Sequence, residues 1–198
     1  TQPDRDAMLY PGPLPVVAHP PCGPWGMFAW NYKGGEGAKR CATVAVGQVR
    51  RFGGVLEHPE RSALWAQMGL PKPGAAADAF GGWTLRVNQC DWGHKAQKPT
   101  RLYIAGRSDV PPMPDPREAT HCFVRLAGGR LPELPKRERH ITPPAFADWL
   151  IALASGCDEQ AARMAWKLAC LESKSLAEGL TAPEVAYMDI LRGGLWAA

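Results

Sequence analysis

Three short stretches bring reactive side chains to places where a strand should end. HPPCGPWG carries Cys22, LEHP carries Glu57 and His58, and NQCDWGHKAQKPT carries His94, Lys98 and Thr100, with Arg101 next in line. A cysteine acts as a soft nucleophile once it is a thiolate. A carboxylate can hold a substrate edge or balance developing charge, and a lysine beside a hydroxyl suits phosphate oxygens. In an open α/β sheet, the loops at the carboxyl ends of the strands converge on one crevice, so the three stretches could meet there. Singly, each also has an ordinary explanation: a packed thiol, a surface or capping glutamate, and a hairpin turn in GHKAQKPT.

The elements that must position these groups follow from periodicity. LPVVA, residues 14–18, is a short β-branched run that reads as a buried strand entering the first loop. From Ala38 to Phe52 the apolar positions recur at helical spacing, Arg50 and Arg51 suit the negative helix end, and Gly53-Gly54 stops the helix. GGVLEHP predicts a second strand, 62–68 a short helix, WTLRVNQ a third strand and RLYIAG a fourth. Strands alternating with helices predict an α/β fold, a reduced Rossmann-like sheet with flanking helices and a helical C-terminal segment.

Residues 14–106 form the expected catalytic core of a single domain, 107–139 a basic, proline-rich connection, and 140–198 the helical segment. The connection is either nucleic-acid-facing or simply solvated, with one strand candidate, HCFVRLA. Thr142 is placed to cap a helix whose first turn holds Pro143 and Pro144. Two more helices are predicted, from Asp158 to about Ser173 and, behind the capping box Thr181-Ala-Pro-Glu184, from Pro183 to Leu191.

Composition narrows the possibilities. With 198 residues, 45% of them hydrophobic and 21% charged, the chain can bury a real core, which excludes global disorder, collagen and coiled coil. No run approaches the roughly 20 apolar residues of a membrane span, and TQPDRDAMLYPG lacks the pattern of a secretory signal, so a soluble cytoplasmic protein is expected. The six cysteines include no CxxC pair, which supports neither a disulfide framework nor a zinc site, and most are expected to be buried thiols. A net charge of +4 mildly favours a polyanionic partner.

In their joint order these stretches resemble the DNA cytosine-C5 methyltransferases. Val17 to Trp25 is similar to the nucleophile motif, a strand followed by Pro-Cys, and Gly54 to Pro59 to the strand ending in Glu-Asn-Val. Asn88 to Gly106 is similar to the segment in which a turn and basic residues precede a strand, and Thr142-Pro-Pro-Ala to the last motif. The resemblance covers residues 14–150. In that family two further strands and a Gly-rich loop, which hold S-adenosylmethionine, precede the nucleophile. Here 13 residues stand before the first strand and no GxGxxG occurs. The segment between Gly106 and Thr142 is shorter than the family's target-recognition domain, and His58 replaces its Asn.

This pattern of motifs kept and lost resembles the amino acid:DNA transferases of phage DNA hypermodification. It implies a phage protein acting in the host cytoplasm on DNA that carries a modified thymine, with glycine or another small amine as donor and no S-adenosylmethionine. By this resemblance Cys22 adds to C6 of a pyrimidine and Glu57 holds the ring edge, while His58 is placed to shuttle the amine's proton or, before Pro59, to serve equally well as a structural histidine. Lys98, Thr100, His94 and Arg101 are expected to meet the leaving pyrophosphate or the DNA backbone, and Pro21, Gly23 and Trp25 of the nucleophile loop to bind the substrate or its phosphate, Trp25 by stacking. Trp30 and Trp92 are further stacking candidates, although core packing explains any tryptophan equally well. The rival expectations are an S-adenosylmethionine-dependent methyltransferase, a non-catalytic DNA-binding remnant of the same fold, and a thiol hydrolase.

Overall fold

The apolar run at 14–18 yields β1, Val16–Ala18, and the helical spacing beyond it yields α1, Gly35–Phe52. The structure, a computed structural model, describes residues 6–27, 29–124 and 129–196. Helix α1 buries Ala42, Ala45, Val46, Val49 and Phe52, the stripe its periodicity predicts. It starts at Gly35 rather than Ala38 and stops at Gly53, whose φ of 77° suits glycine and whose N–H donates to the Val49 carbonyl. Strand β2, Gly54–Pro59, follows at once. The remaining elements are α2, Leu64–Gln67; β3, Trp83–Asn88; β4, Pro99–Ala105; α3, Pro144–Ser155; α4, Glu159–Ala177; and α5, Ala182–Trp196.

The architecture is mixed α/β, with an open four-stranded sheet in the order β1-β2-β4-β3. Strands β1 and β2 run parallel, joined through α1, with Val16 opposite Gly54. The connection from β3 to β4 contains no α-helix, so the chain doubles back and β4 lies antiparallel between β2 and β3. The hairpin reading of GHKAQKPT therefore describes the topology.

Alternation sorts the side chains onto two faces. Leu56 and Tyr103 pack with Ala42, Val46 and Val49 of α1 and with Trp25 and Trp65. Val55, Val87, Leu102 and Ile104 pack with Phe146, Leu150 and Leu153 of α3 and with Trp92 and Trp149. The sheet is thus covered on both sides. Arg50 does more than sit at a helix end: it hydrogen-bonds Asp78 at 3.1 Å and the Tyr103 hydroxyl at 3.2 Å. Tyr103 donates to the same carboxylate at 2.8 Å, which ties the loop before β3 to α1 and β4.

Several expectations change. Thr142 does not cap α3; Pro143 takes that place with no side-chain bond, and its carbonyl accepts from Phe146 and Ala147. A residue before proline is held in extended backbone, so the helix cannot begin before Pro144. HCFVRLA forms no strand among the described residues: His121 and Cys122 make isolated bridges to Ala96 and Glu133, and residues 125–127 lie outside the described residues. Of the six cysteines only Cys90 and Cys157 are buried, while Cys22 and Cys170 are exposed.

Asp158 caps α4 through the Ala161 N–H at 3.0 Å, and the helix runs on to Ala177. The capping box of α5 forms around Glu184, which accepts from the Thr181 N–H at 2.9 Å and its hydroxyl at 2.8 Å. Helices α4 and α5 are tied by Lys174–Glu184 at 2.6 Å and Arg192–Glu172 at 3.0 Å, over buried Met188 and Leu191.

Candidate active site

Strands β1, β2 and β3 point their carboxyl ends the same way, and β4 begins at that end. Alternation puts His19, Glu57 and Gln89 on the α3 face there, together with Lys98 and Thr100. Glu57 is the hub. Its Oε1 accepts from the Gln89 amide at 2.7 Å, and its Oε2 lies 3.3 Å from His19 Nδ1. The same Gln89 nitrogen reaches Thr100 Oγ1 at 3.1 Å, and Thr100 donates to the Lys98 carbonyl at 3.1 Å.

Asn88 holds this corner closed. Its side-chain oxygen accepts from the Cys90 and Lys98 N–H groups, and its amide bonds Gln97, so the ten-residue excursion of the hairpin returns to β4 in register. Lys98 donates to the Ile141 carbonyl at 3.3 Å, just before α3. Burial pushes the Lys98 ammonium below the usual lysine range, opposed by the charges of Glu57 and Cys22, so all three groups share one electrostatic neighbourhood.

Cys22 is exposed and opens a 3-10 turn, Gly23–Trp25, whose Trp25 N–H donates to the Cys22 carbonyl at 3.0 Å. Trp25 and Pro24 are buried beneath the turn, and the Trp25 carbonyl accepts from Ala63 at 2.9 Å. The Tyr32 ring lies against Gly23, where a Cβ would sit 2.3 Å from it. The loop is therefore anchored from below while its thiol faces outward.

The structure thus gathers Cys22, Glu57, Lys98 and Thr100. Thr100 is buried, with its hydroxyl engaged by Gln89 and Lys98, so it positions the corner. Pro21 is exposed beside Cys22, whereas Trp25 is a core residue, as is Trp92, packed on Phe146 and Trp149. Trp30 is 81% exposed and is the one of the three free to stack on a ligand. His94 is buried, with Nδ1 2.7 Å from the Ala96 carbonyl and its ring stacked on Phe123. It lines a cavity of about 360 Å³ with Trp92, Lys95, Glu138, Ile141 and Pro143, a recess next to Lys98 that could hold a small group.

His58 and Arg101 are cross-strand neighbours on the opposite face. Arg101 sits 5.8 Å from the Trp65 ring centre, and the His58 ring meets Trp65 edge-on at 6.4 Å. His58 is fully buried, its ring set against the backbone of Pro21 in the Cys22 turn. Burial lowers its pKa to about 4, against the opposing pull of Glu57. The structure therefore places His58 on the α1 face, away from the Glu57 carboxylate, as a neutral ring near pH 7.

That burial has a stability consequence. The unfolded histidine takes a proton near pH 6.5, whereas the folded one resists until about pH 4. His58 therefore contributes stability above pH 6.5 that is lost as the pH falls toward 4, about 3 kcal/mol in all. Urea unfolding between pH 7 and 4 is expected to show this loss, and His58→Leu to flatten it. Equal pH slopes in the two proteins would refute the assignment.

Two members of the site, His19 and Gln89, escaped the sequence reading although both lie in the stretches that drew notice. Strand alternation was the available signal, since each lies two residues beyond a β-branched valine of the α3 face, Val17 and Val87. Among the described residues no three His, Cys, Asp or Glu groups are placed to hold a metal ion, and no helix is long and apolar enough to cross a membrane. Comparison with protein-family models, with curated proteins and with solved structures returned no match.

Proposed function

We propose that the protein is a DNA base-modifying transferase that activates a 5-substituted pyrimidine through Cys22 and joins an amine to it. The carrying observation is the convergence of an exposed thiol, a hydrogen-bonded carboxylate and a half-buried lysine at one end of the sheet. On this reading the mixed sheet is the pyrimidine-activating part of a C5-methyltransferase-like, Rossmann-related fold. The substrate is DNA bearing 5-(pyrophosphoryloxymethyl)uracil, and the donor is glycine.

The thiolate adds to C6 and makes C5 an enolate-like carbon. That carbanion expels pyrophosphate from the exocyclic CH2, the amine adds to the methylene so formed, and expulsion of the thiolate restores the ring. No methyl donor enters this route. Glu57, held by Gln89, faces the ring edge and accepts from its N3–H. Lys98 meets the leaving pyrophosphate, a role its position beside Glu57 and Cys22 supports. The base reaches the thiol flipped from the duplex or in a single strand, and the exposed Trp30 is suited to stack in its vicinity.

The test is nucleoside mass spectrometry of such an oligomer after incubation with the protein and glycine, beside a reaction on cytosine DNA with S-adenosylmethionine. A glycyl adduct supports the reading, and methylcytosine replaces it with a methyltransferase. Silence in both refutes this leaving group and donor. Lys98→Ala is expected to lower kcat/KM about 30-fold, ~2 kcal/mol of transition-state stabilisation, with partial recovery in Lys98→Arg. An unchanged rate would return Lys98 to a structural role.

A further inference from the structure

Resting on the Cys22 reading above, we infer that His19 is the proton carrier of the site, oriented by Glu57 and acting on the Cys22 sulfur. Nδ1 of His19 lies 3.3 Å from Glu57 Oε2, and its side chain is 35% exposed against 13% for the glutamate. Nδ1 is engaged by the carboxylate, so Nε2 is the nitrogen left for substrate and thiol. His19 and Cys22 sit in one proline-stiffened turn, HPPC, so only Pro20 and Pro21 separate base from nucleophile. Glu57 is in turn fixed by Gln89, which gives a thiol, a base and an orienting carboxylate in sequence.

The charged and titratable groups around His19 come from every element that approaches it. Glu57 comes from β2, Lys98 from the start of β4, Cys22 from its own turn, and Cys41 from α1, which lines the same groove. Helix α3, packed behind β1, contributes only the exposed Asp148. Among the described residues the carboxylate paired with the imidazole is Glu57, which holds the ring by Nδ1 and so sets its orientation.

The proton can be followed through the cycle. His19 takes it from the Cys22 thiol as the S–C6 bond forms, then delivers it to pyrophosphate as the C–O bond breaks and the electron pair leaves with oxygen. The neutral imidazole removes the proton from the ammonium formed when the amine adds to the methylene. It returns that proton to sulfur when the C6–S bond breaks and the ring double bond reforms. Donor, leaving group and both bonds to carbon balance without an oxidant or reductant.

The test needs no DNA. Iodoacetamide alkylation of Cys22, read by peptide mass spectrometry from pH 5 to 10, is compared in wild type, His19→Gln and Glu57→Gln. At pH 7 Cys22 is expected to react at least about 10-fold faster in wild type than in His19→Gln. Glu57→Gln should react at a rate between the two. Cys170, exposed and remote, should react alike in all three, and protection of the buried Cys90 and Cys157 reports an intact fold. If His19→Gln loses that protection, Glu57→Gln and His19→Asn carry the comparison. Superimposable Cys22 profiles overturn the inference. Glycyl transfer with a His19-independent profile sinks this inference alone, and a His19-dependent profile without transfer sinks only the proposed reaction.

Discussion

Replacing Cys22 by alanine is expected to abolish transfer while leaving the unfolding midpoint in urea nearly unmoved. Its side chain is exposed, so truncation creates no cavity, and stability should change by no more than about 0.5 kcal/mol. The turn it opens is held by Trp25 and Pro24 below and by the Tyr32 ring against Gly23, none of which involves the sulfur. Turnover should fall by about 10⁴-fold or more, because without the sulfur C5 never becomes a carbanion and no other nucleophile is in place. Cys22→Ser should fail almost as completely, an alcohol being a far weaker nucleophile. Adduct formation by either variant at a rate near wild type would remove Cys22 from the chemistry.

Gly54→Ala should give the largest loss of stability, about 4 kcal/mol. Gly54 has a φ of 117°, and a Cβ there would lie 2.1 Å from the Val16 carbonyl oxygen. The Val16 atoms it would meet are all backbone, so relief requires β1 to move away from β2. Gly53 offers the control, since its Cβ would meet Ala105 O at 3.3 Å and Cys157 Cβ at 3.4 Å, contacts that small shifts can absorb. Gly53→Ala should therefore cost clearly less, although its φ of 77° still disfavours a side chain. Urea titrations of the two variants make the comparison, and equal losses would show that the β1–β2 approach does not set the cost. Because β1 carries the Cys22 turn and β2 carries Glu57, Gly54→Ala should also reduce activity in the fraction that folds.

The parts of this molecule legible in its sequence are those governed by local rules. Helix α1 announces itself by the spacing of Ala42, Ala45, Val46 and Val49 and by the Gly53-Gly54 stop, and the four strands by their β-branched runs. The position of β4 between β2 and β3 was not legible, because a loop such as 89–98 carries no record of which edge its next strand will join. The meeting of Cys22, Glu57 and Lys98 follows from loop convergence. The placing of His58 and Arg101 on the far face follows from a one-residue step in parity, which motif order ignores. Within LEHP, Glu57 and its neighbour His58 differ by 180° of strand rotation. A pair of adjacent polar residues in a strand seldom serves one site. His19 and Gln89 were hidden for the complementary reason, being partners across strands that only the register brings together.

The attachment of α5 has one more consequence. Its cross-links to α4, Lys174–Glu184 and Arg192–Glu172, join side chains 29–45% exposed, whereas the sheet rests on backbone hydrogen bonds and apolar packing. Mobile ions weaken the former and leave the latter untouched, since at 1 M salt the screening length shrinks to about 3 Å. Ionic strength therefore acts on the two ends of the chain unequally, weakening the ionic ties of the C-terminal helix and leaving it to Met188 and Leu191, while the strands that carry the thiol and the carboxylate keep their register.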